Sequence, residues 1–183
     1  MNGLQSNFNI FVVNPIQKAP INMPFQNIEP LVTFICNDIT LPVFDRLKGV
    51  CQLLHDHLDG YDWVGFYFAN AKEKTLHLSA YVGEPTDHLT IPFGKGICGQ
   101  VAESNQTFLV DDVHAQDNYI ACSITVKSEI VVPIFIEGKN IGQIDIDSKT
   151  INRFSKADET FLQFVNQEIA TLLTGIPLKS LFI

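Results

Sequence analysis

The segment EIVVPIFIEGKNIGQIDIDS (Glu129–Ser148) carries the clearest structural pattern of this chain. Two runs rich in β-branched residues flank a glycine-containing turn at Glu137–Asn140, and this pattern predicts a β-hairpin. On the second strand isoleucines alternate with polar residues, which are Gln143, Asp145 and Asp147. Because successive side chains of a strand point to opposite faces, we expect the isoleucines to face a core and the carboxylates to face a polar site.

Two cysteines lie upstream of this hairpin, within a larger segment that begins with IPFGKGICGQ at Ile91. Cys98 stands where glycine-rich sequence enters a predicted short helix ending near Ser104. Cys122 lies in a long connection, and connections of that length inside a compact domain are usually functional. We interpret the segment as a cysteine site with an acidic wall, whose members are Glu129, Asp145 and Asp147.

Composition excludes several classes of function. The chain has 183 residues, 46% of them hydrophobic, and a formal net charge of −8. This charge argues against nucleic acid and against an anionic membrane surface as partners, since both require basic patches. We expect no membrane-spanning segment and no secretory signal, and therefore a cytoplasmic protein with reduced cysteines.

The remaining pattern predicts an N-terminal arm over residues 1–27 and one domain over residues 28–183. The arm is either a surface extension or a segment that docks on a second subunit. Periodicity predicts one helix over Pro42–Leu58 and another that begins after Ser155. Strands are predicted at Asp62–Ala69, Thr75–Val82 and Thr107–Val110.

Two aromatic residues of the first strand fall on the same face. Trp63 and Tyr67 are four positions apart, and Gly65 between them leaves room beside the backbone. They are either core aromatics or the wall of a ligand site.

These motifs resemble the GAF-domain family, and within it the free methionine-(R)-sulfoxide reductase type. The resemblance covers roughly Leu41–Leu173, and its most specific part is the combination IAC, SEIVVP and DIDS. It implies an α+β fold with a central antiparallel sheet of about six strands. Helices would pack on one face of this sheet, and a small ligand cavity would lie on the other.

The resemblance also implies an activity and roles for residues. A cysteine thiolate at Cys122 would reduce free L-methionine-(R)-sulfoxide to L-methionine, with thioredoxin or another thiol as external reductant and no bound cofactor. Substrate-binding residues would be Trp63, Tyr67, Glu129, Asp145 and Asp147. A homodimer is expected, and no metal is expected, because no complete set of ligands is evident.

One position departs from the family pattern. The family usually carries a resolving cysteine ten positions before Cys98, and this chain has His88 there. Cys98 then becomes the candidate resolving cysteine, whose thiol reacts with the oxidised Cys122. The alternative is a non-catalytic GAF sensor that binds a small amino-acid-like ligand.

The residues themselves suit this chemistry. A sulfoxide reductase needs a thiolate, an acid for the departing oxygen and a second thiol. Asp145 and Asp147, ~7 Å apart on one strand face, suit an ammonium group, and Trp63 suits the methyl end. Carboxylates crowded together disfavour full ionisation, so we expect Glu129 or Asp147 to be protonated near neutral pH and to supply the acid.

Overall fold

The computed structural model describes residues 23–115 and 125–183. Four α-helices and six strands are present in these ranges. The helices are α1 (Phe25–Asn37), α2 (Val43–His57), α3 (Gly96–Ser104) and α4 (Lys156–Leu173). The strands are β1 (Trp63–Asn70), β2 (Thr75–Val82), β3 (Thr90–Pro92), β4 (Phe108–Val110), β5 (Ser128–Ile136) and β6 (Lys139–Ser148).

The strands form one antiparallel sheet in the order β3-β2-β1-β6-β5-β4. The predicted hairpin, β5 and β6, lies beside β1 in the middle of this sheet. Every strand pair is antiparallel, which agrees with the expected α+β fold and its six strands.

The apolar face of the sheet is covered by α2 and α4, and α1 packs against these two helices. Ile144 and Ile146 of β6 are fully buried there, together with Val64 and Phe66 of β1. The alternation of β6 therefore directs its isoleucines into this core, as the sequence predicts, and turns Asp145 to the opposite face.

The opposite face carries a second, smaller core under α3. It contains Trp63, Tyr67, Cys98 and Val131, which are all buried. One short helix thus lies on the cavity side, whereas the three longer helices lie on the other.

Two elements differ from their predictions. Helix α1 begins at Phe25, inside the predicted N-terminal arm of residues 1–27, and it tolerates Pro30. Burial of one face, including Val32 and Cys36, compensates for the hydrogen bond that proline removes. Strand β3 was not predicted, because it ends at Pro92 and runs into glycine-rich sequence, and proline and glycine both argue against a strand.

The C-terminal tail, whose packing the sequence left open, closes against β2. The Ile183 N–H donates to the Leu78 carbonyl oxygen at 3.0 Å, and the Phe182 ring stacks on His77 at 4.3 Å between centroids.

Candidate active site

Three carboxyl groups come together on the cavity face because of strand register. Asp147 of β6 pairs with Glu129 of β5 on one side and with Trp63 of β1 on the other. Asp145 lies two positions along, opposite Gly65. The exposed fractions are 2% for Glu129, 1% for Asp145 and 3% for Asp147, so the acidic wall is buried.

Cys98 reaches this wall from α3. Its Sγ lies 3.2 Å from Asp145 Oδ2, with the thiol as donor and the carboxylate as acceptor. Gly99 permits the close approach of α3 to the end of β3, since a Cβ at that position would meet the Pro92 carbonyl oxygen at 2.4 Å. The side chain of Lys95, the N-cap residue of α3, makes no capping hydrogen bond. The N–H groups of the first turn of α3 therefore favour negative charge near Cys98.

Burial dominates the electrostatics of the three carboxyls. It raises the pKa of Glu129 well above its ordinary value, and the charges of Asp145 and Asp147 raise it further. Burial raises the pKa of Asp145 to about 7, and the hydrogen bond from Cys98 opposes this rise. The pKa of Asp147 is also raised well above the usual range, first by burial and then by Asp145 and Asp62. A proton shared within this trio at neutral pH is the state that these shifts favour.

Several polar atoms on this face have no hydrogen-bond partner within the described part of the chain. They are Asp145 Oδ1, Asp147 Oδ1, and both Nε2 and Oε1 of Gln143. Buried polar atoms are nearly always paired in native proteins, so a cluster of unpaired ones indicates a place for a polar ligand. Gln143 was not among the predicted site residues, although its alternation with Asp145 and Asp147 could have identified it.

The indole of Trp63 forms one wall beside the carboxyls. It stacks against Tyr67 and Tyr81 at 6.3 and 5.4 Å between ring centroids, and its Nε1 donates to the Glu84 carbonyl oxygen at 3.1 Å. The ring lies over Gly65, where a Cβ would stand 2.2 Å from the indole. The glycine therefore makes the space that the sequence predicted.

Tyr67 takes a supporting position in this structure. Its hydroxyl donates to the His88 carbonyl oxygen at 3.0 Å, and only 1% of the residue is exposed. The contact ties the loop that carries His88 to the central strand β1.

Two clefts open on this face. One has a cavity volume of about 30 Å³ and is lined in part by Trp63, Asp147 and Lys149. The other has a cavity volume of about 70 Å³ and is lined in part by His88, Cys98 and Glu129, the cross-strand neighbour of Asp147. The structure thus brings the predicted carboxyls, Cys98 and Trp63 together, and it places His88 in the same cleft as Cys98.

The predicted nucleophile, Cys122, lies outside the described residues. Thr125 is the first described residue after Cys122. Both Thr125 and Val126 line the cleft of Trp63 and Asp147. Lys149 at its rim, which sequence reasoning did not single out, pairs with Glu84 at 2.8 Å between Nζ and Oε1.

Comparison with known proteins places this site in a family. Residues 35–174 match the GAF domain. The free methionine-R-sulfoxide reductase of Escherichia coli is 34% identical over 136 residues, which are 74% of this chain and 81% of that protein.

Solved structures agree with the sequence relatives. The Neisseria meningitidis free methionine-R-sulfoxide reductase, solved in complex with its substrate, superposes with a TM-score of 0.77 at 31% identity, over 82% of this chain and 88% of that one. The reduced form of the Staphylococcus aureus fRMsr gives 0.76 at 35% identity, over 85% and 99% of the two chains. The antiparallel sheet, the buried acidic face and these relatives together establish that the chain belongs to the GAF-domain family.

Proposed function

We propose that this chain reduces free L-methionine-(R)-sulfoxide to L-methionine by means of a cysteine thiolate. The observation that carries the proposal is a buried thiol against a cluster of buried carboxyls beside an indole. Relatives named free methionine-R-sulfoxide reductase, at 34% and 42% identity, support the same reaction.

Cys122 is the proposed nucleophile. Its thiolate attacks the sulfoxide sulfur and forms a sulfur–sulfur bond. The oxygen takes up a proton and moves to the Cys122 sulfur as its bond to the substrate sulfur breaks. The sulfur–sulfur bond then breaks, so methionine leaves and Cys122 remains as a sulfenic acid. Three peptide units separate Cys122 from Thr125, a span of at most about 11 Å. Since Thr125 lines the cleft of Trp63, chain connectivity allows the thiolate to enter this site.

The carboxyls have two proposed tasks. Glu129 or Asp147 holds the proton that the departing oxygen takes up, because burial favours the neutral form of both. Asp145, together with Asp147, accepts the hydrogen bonds of the substrate ammonium, because Oδ1 of each residue has no partner among the described residues. The Trp63 ring packs on the methyl end, and amides near the start of α3 bind the carboxylate.

Cys98 has the proposed task of returning the oxidised Cys122 to the thiol form. Its thiol attacks the sulfenic sulfur of Cys122, a disulfide forms and water leaves; a thioredoxin-like dithiol then reduces this disulfide. His88, where relatives usually carry a resolving cysteine, supplies no thiol, so Cys98 is the proposed resolving residue in the same cleft. The thioredoxin-like reductant, the cytoplasmic location and the homodimer belong to this proposal, as does the absence of a bound cofactor.

A steady-state assay with dithiothreitol tests the function. A simple thiol bypasses the resolving step, so we expect methionine to form from the free (R)-sulfoxide and not from the (S)-epimer. Acetylation of the substrate amino group should abolish turnover, since the Asp145–Asp147 face then has no ammonium to bind. Cys122→Ser should be inactive. Binding of the sulfoxide without any turnover by the wild type would instead support a sensor.

A further inference from the structure

Three potential metal-ligand atoms lie close together around Cys98, and the proposed reaction does not require a metal ion there. The Sγ of Cys98, one carboxylate oxygen of Glu129 and one of Asp145 all lie within 4.8 Å of one another. The three residues are buried, with exposed fractions of 5%, 2% and 1%. One sulfur and two carboxylate oxygens therefore converge from α3, β5 and β6.

A second observation points to a missing partner at this place. Asp145 Oδ1 is buried and has no hydrogen-bond partner in the described ranges, although Oδ2 of the same carboxyl accepts from Cys98. Burial of a carboxylate oxygen without a hydrogen-bond partner costs free energy unless a proton or a cation binds to it.

We propose that Cys98, Glu129 and Asp145 form a binding site for a single thiophilic divalent cation such as Zn²⁺ or Cd²⁺. A thiolate and two carboxylates are accepted ligands of such ions, with the fourth position left to water. The sulfur ligand and the small number of oxygens disfavour Mg²⁺ and Ca²⁺, which require six or more oxygen ligands.

The distances between the three ligand atoms suit a tetrahedrally coordinated ion if the ligands move slightly closer together. Bond lengths of about 2.3 Å to sulfur and about 2.1 Å to oxygen place the ligand atoms of one ion ~3.4–3.6 Å apart. The Cys98 Sγ to Asp145 Oδ2 distance is 3.2 Å, and no other pair exceeds 4.8 Å. The ion has a route of entry, because Cys98 and Glu129 line the cleft that His88 also lines, with a cavity volume of about 70 Å³.

Binding has a defined effect on protons. Metal ligands bind in their deprotonated forms, so the ion displaces the thiol proton and any proton on the two carboxyls. The same groups serve the proposed reduction, so a bound ion blocks Cys98 and part of the acidic wall. The cation site itself stands whether or not the chain reduces a sulfoxide.

Titration of the reduced, full-length protein with Cd²⁺ tests the site. We expect a near-ultraviolet sulfur-to-metal charge-transfer band that saturates at one ion per chain and persists in excess Mg²⁺. Cys98→Ser should lose this band. Asp145→Asn and Glu129→Gln should each weaken binding by ~10-fold or more, the scale on which even outer-shell changes affect metal sites.

Cys36→Ser is the matched control, because Cys36 is equally buried at 5% exposure but packs in the core on the other face of the sheet. It should bind Cd²⁺ as the wild type does, and far-ultraviolet circular dichroism checks that each variant is folded. The absence of a saturable band in the wild type overturns the proposal. A band that survives in both folded Cys98→Ser and folded Asp145→Asn also overturns it, and loss of the band in Cys122→Ser alone would place the ion elsewhere.

Discussion

Asp145 shows most directly how burial sets the chemistry of a single residue in this site. Its carboxyl is 1% exposed, touches the Cys98 thiol, and has a pKa raised from 3.8 to about 7. Between these two values the folded chain retains a proton that the unfolded chain releases. Stability from this group is therefore fully present below 3.8 and is lost as the pH rises through about 7.

Replacement of this carboxyl should remove that pH dependence. The Asp145→Asn side chain cannot ionise. Its free energy of unfolding should therefore increase relative to that of the wild type as the pH rises from 3.8 towards 7. The shift corresponds to a gain of up to about 4 kcal/mol, at about 1.4 kcal/mol per pKa unit. Urea unfolding at several pH values in this window measures the difference. A difference that stays constant with pH would contradict the assigned pKa.

Trp63 gives a second prediction at the residue scale, because it is the only tryptophan of the chain. Gly65→Ala places a methyl group where the indole now lies, 2.2 Å from its nearest carbon. The ring must move, so we expect a shifted fluorescence maximum and a raised KM for the sulfoxide. Gly49→Ala in α2 is the control, since it adds a methyl group inside a helix on the other face. An unchanged KM and emission in Gly65→Ala would show that the indole does not form the wall.

Among the elements, α4 depends on one buried carboxylate at its start. Asp158 is 3% exposed and accepts hydrogen bonds from the Ser155 N–H and hydroxyl at 2.8 and 2.7 Å. It also accepts from the Tyr61 hydroxyl and from Arg153 Nη1, each at 3.1 Å. The predicted capping of this helix thus extends into a link between α4 and the loop before β1.

Asp158→Ala should destabilise the fold without changing the site. Because it removes the cap and leaves Arg153 without its carboxylate partner, we expect a loss of about 3 kcal/mol, on the scale of a broken buried ion pair. Tyr61→Phe removes only one of these hydrogen bonds and should cost about 1 kcal/mol. Chemical unfolding measures both, and turnover below the unfolding transition should match the wild type. A loss equal to that of Tyr61→Phe would mean that the cap and the ion pair contribute little.

Most elements could be predicted from the sequence, including the three-residue strand β4, but strand β3 could not. Strand β2 has its predicted bounds, and the hairpin β5–β6 turns where its glycine indicated. Strand β3 has three residues and depends on pairing with β2, which no local pattern shows. Similarly, alternation placed the carboxyls on one face, but the contact of Cys98 with Asp145 spans 47 positions and arises only from packing of α3.

At the scale of the whole molecule, one surface is unusually apolar. Phe34 is 72% exposed and Ile39 is 89% exposed, at the end of α1 and just beyond it. Leu31 and Leu41 add to this patch with 39% and 42%. Exposed apolar clusters of this kind mark interaction sites on many proteins, which supports the proposed homodimer. None of the helices in residues 23–115 and 125–183 is long and apolar enough to cross a membrane.

We expect Phe34→Glu to shift the chain from dimer to monomer, because a charge would be buried in the interface. Ile151→Glu is the matched control, since Ile151 is 55% exposed in a turn outside the patch. Sedimentation velocity over a range of concentrations measures the assembly state. A monomeric wild type, or a dimer that Phe34→Glu leaves intact, would contradict this role of α1.

In the proposed reaction one cysteine thiolate, held at a buried acidic face, removes oxygen from free methionine-(R)-sulfoxide. A single turnover without reductant tests this reaction, with methionine counted per chain and the protein analysed by intact mass and peptide mapping. We predict one methionine per chain and a Cys98–Cys122 disulfide in the wild type. Cys98→Ser should also form one methionine but retain a sulfenic acid on Cys122. No methionine from the wild type, or an unchanged yield from Cys122→Ser, would contradict the account.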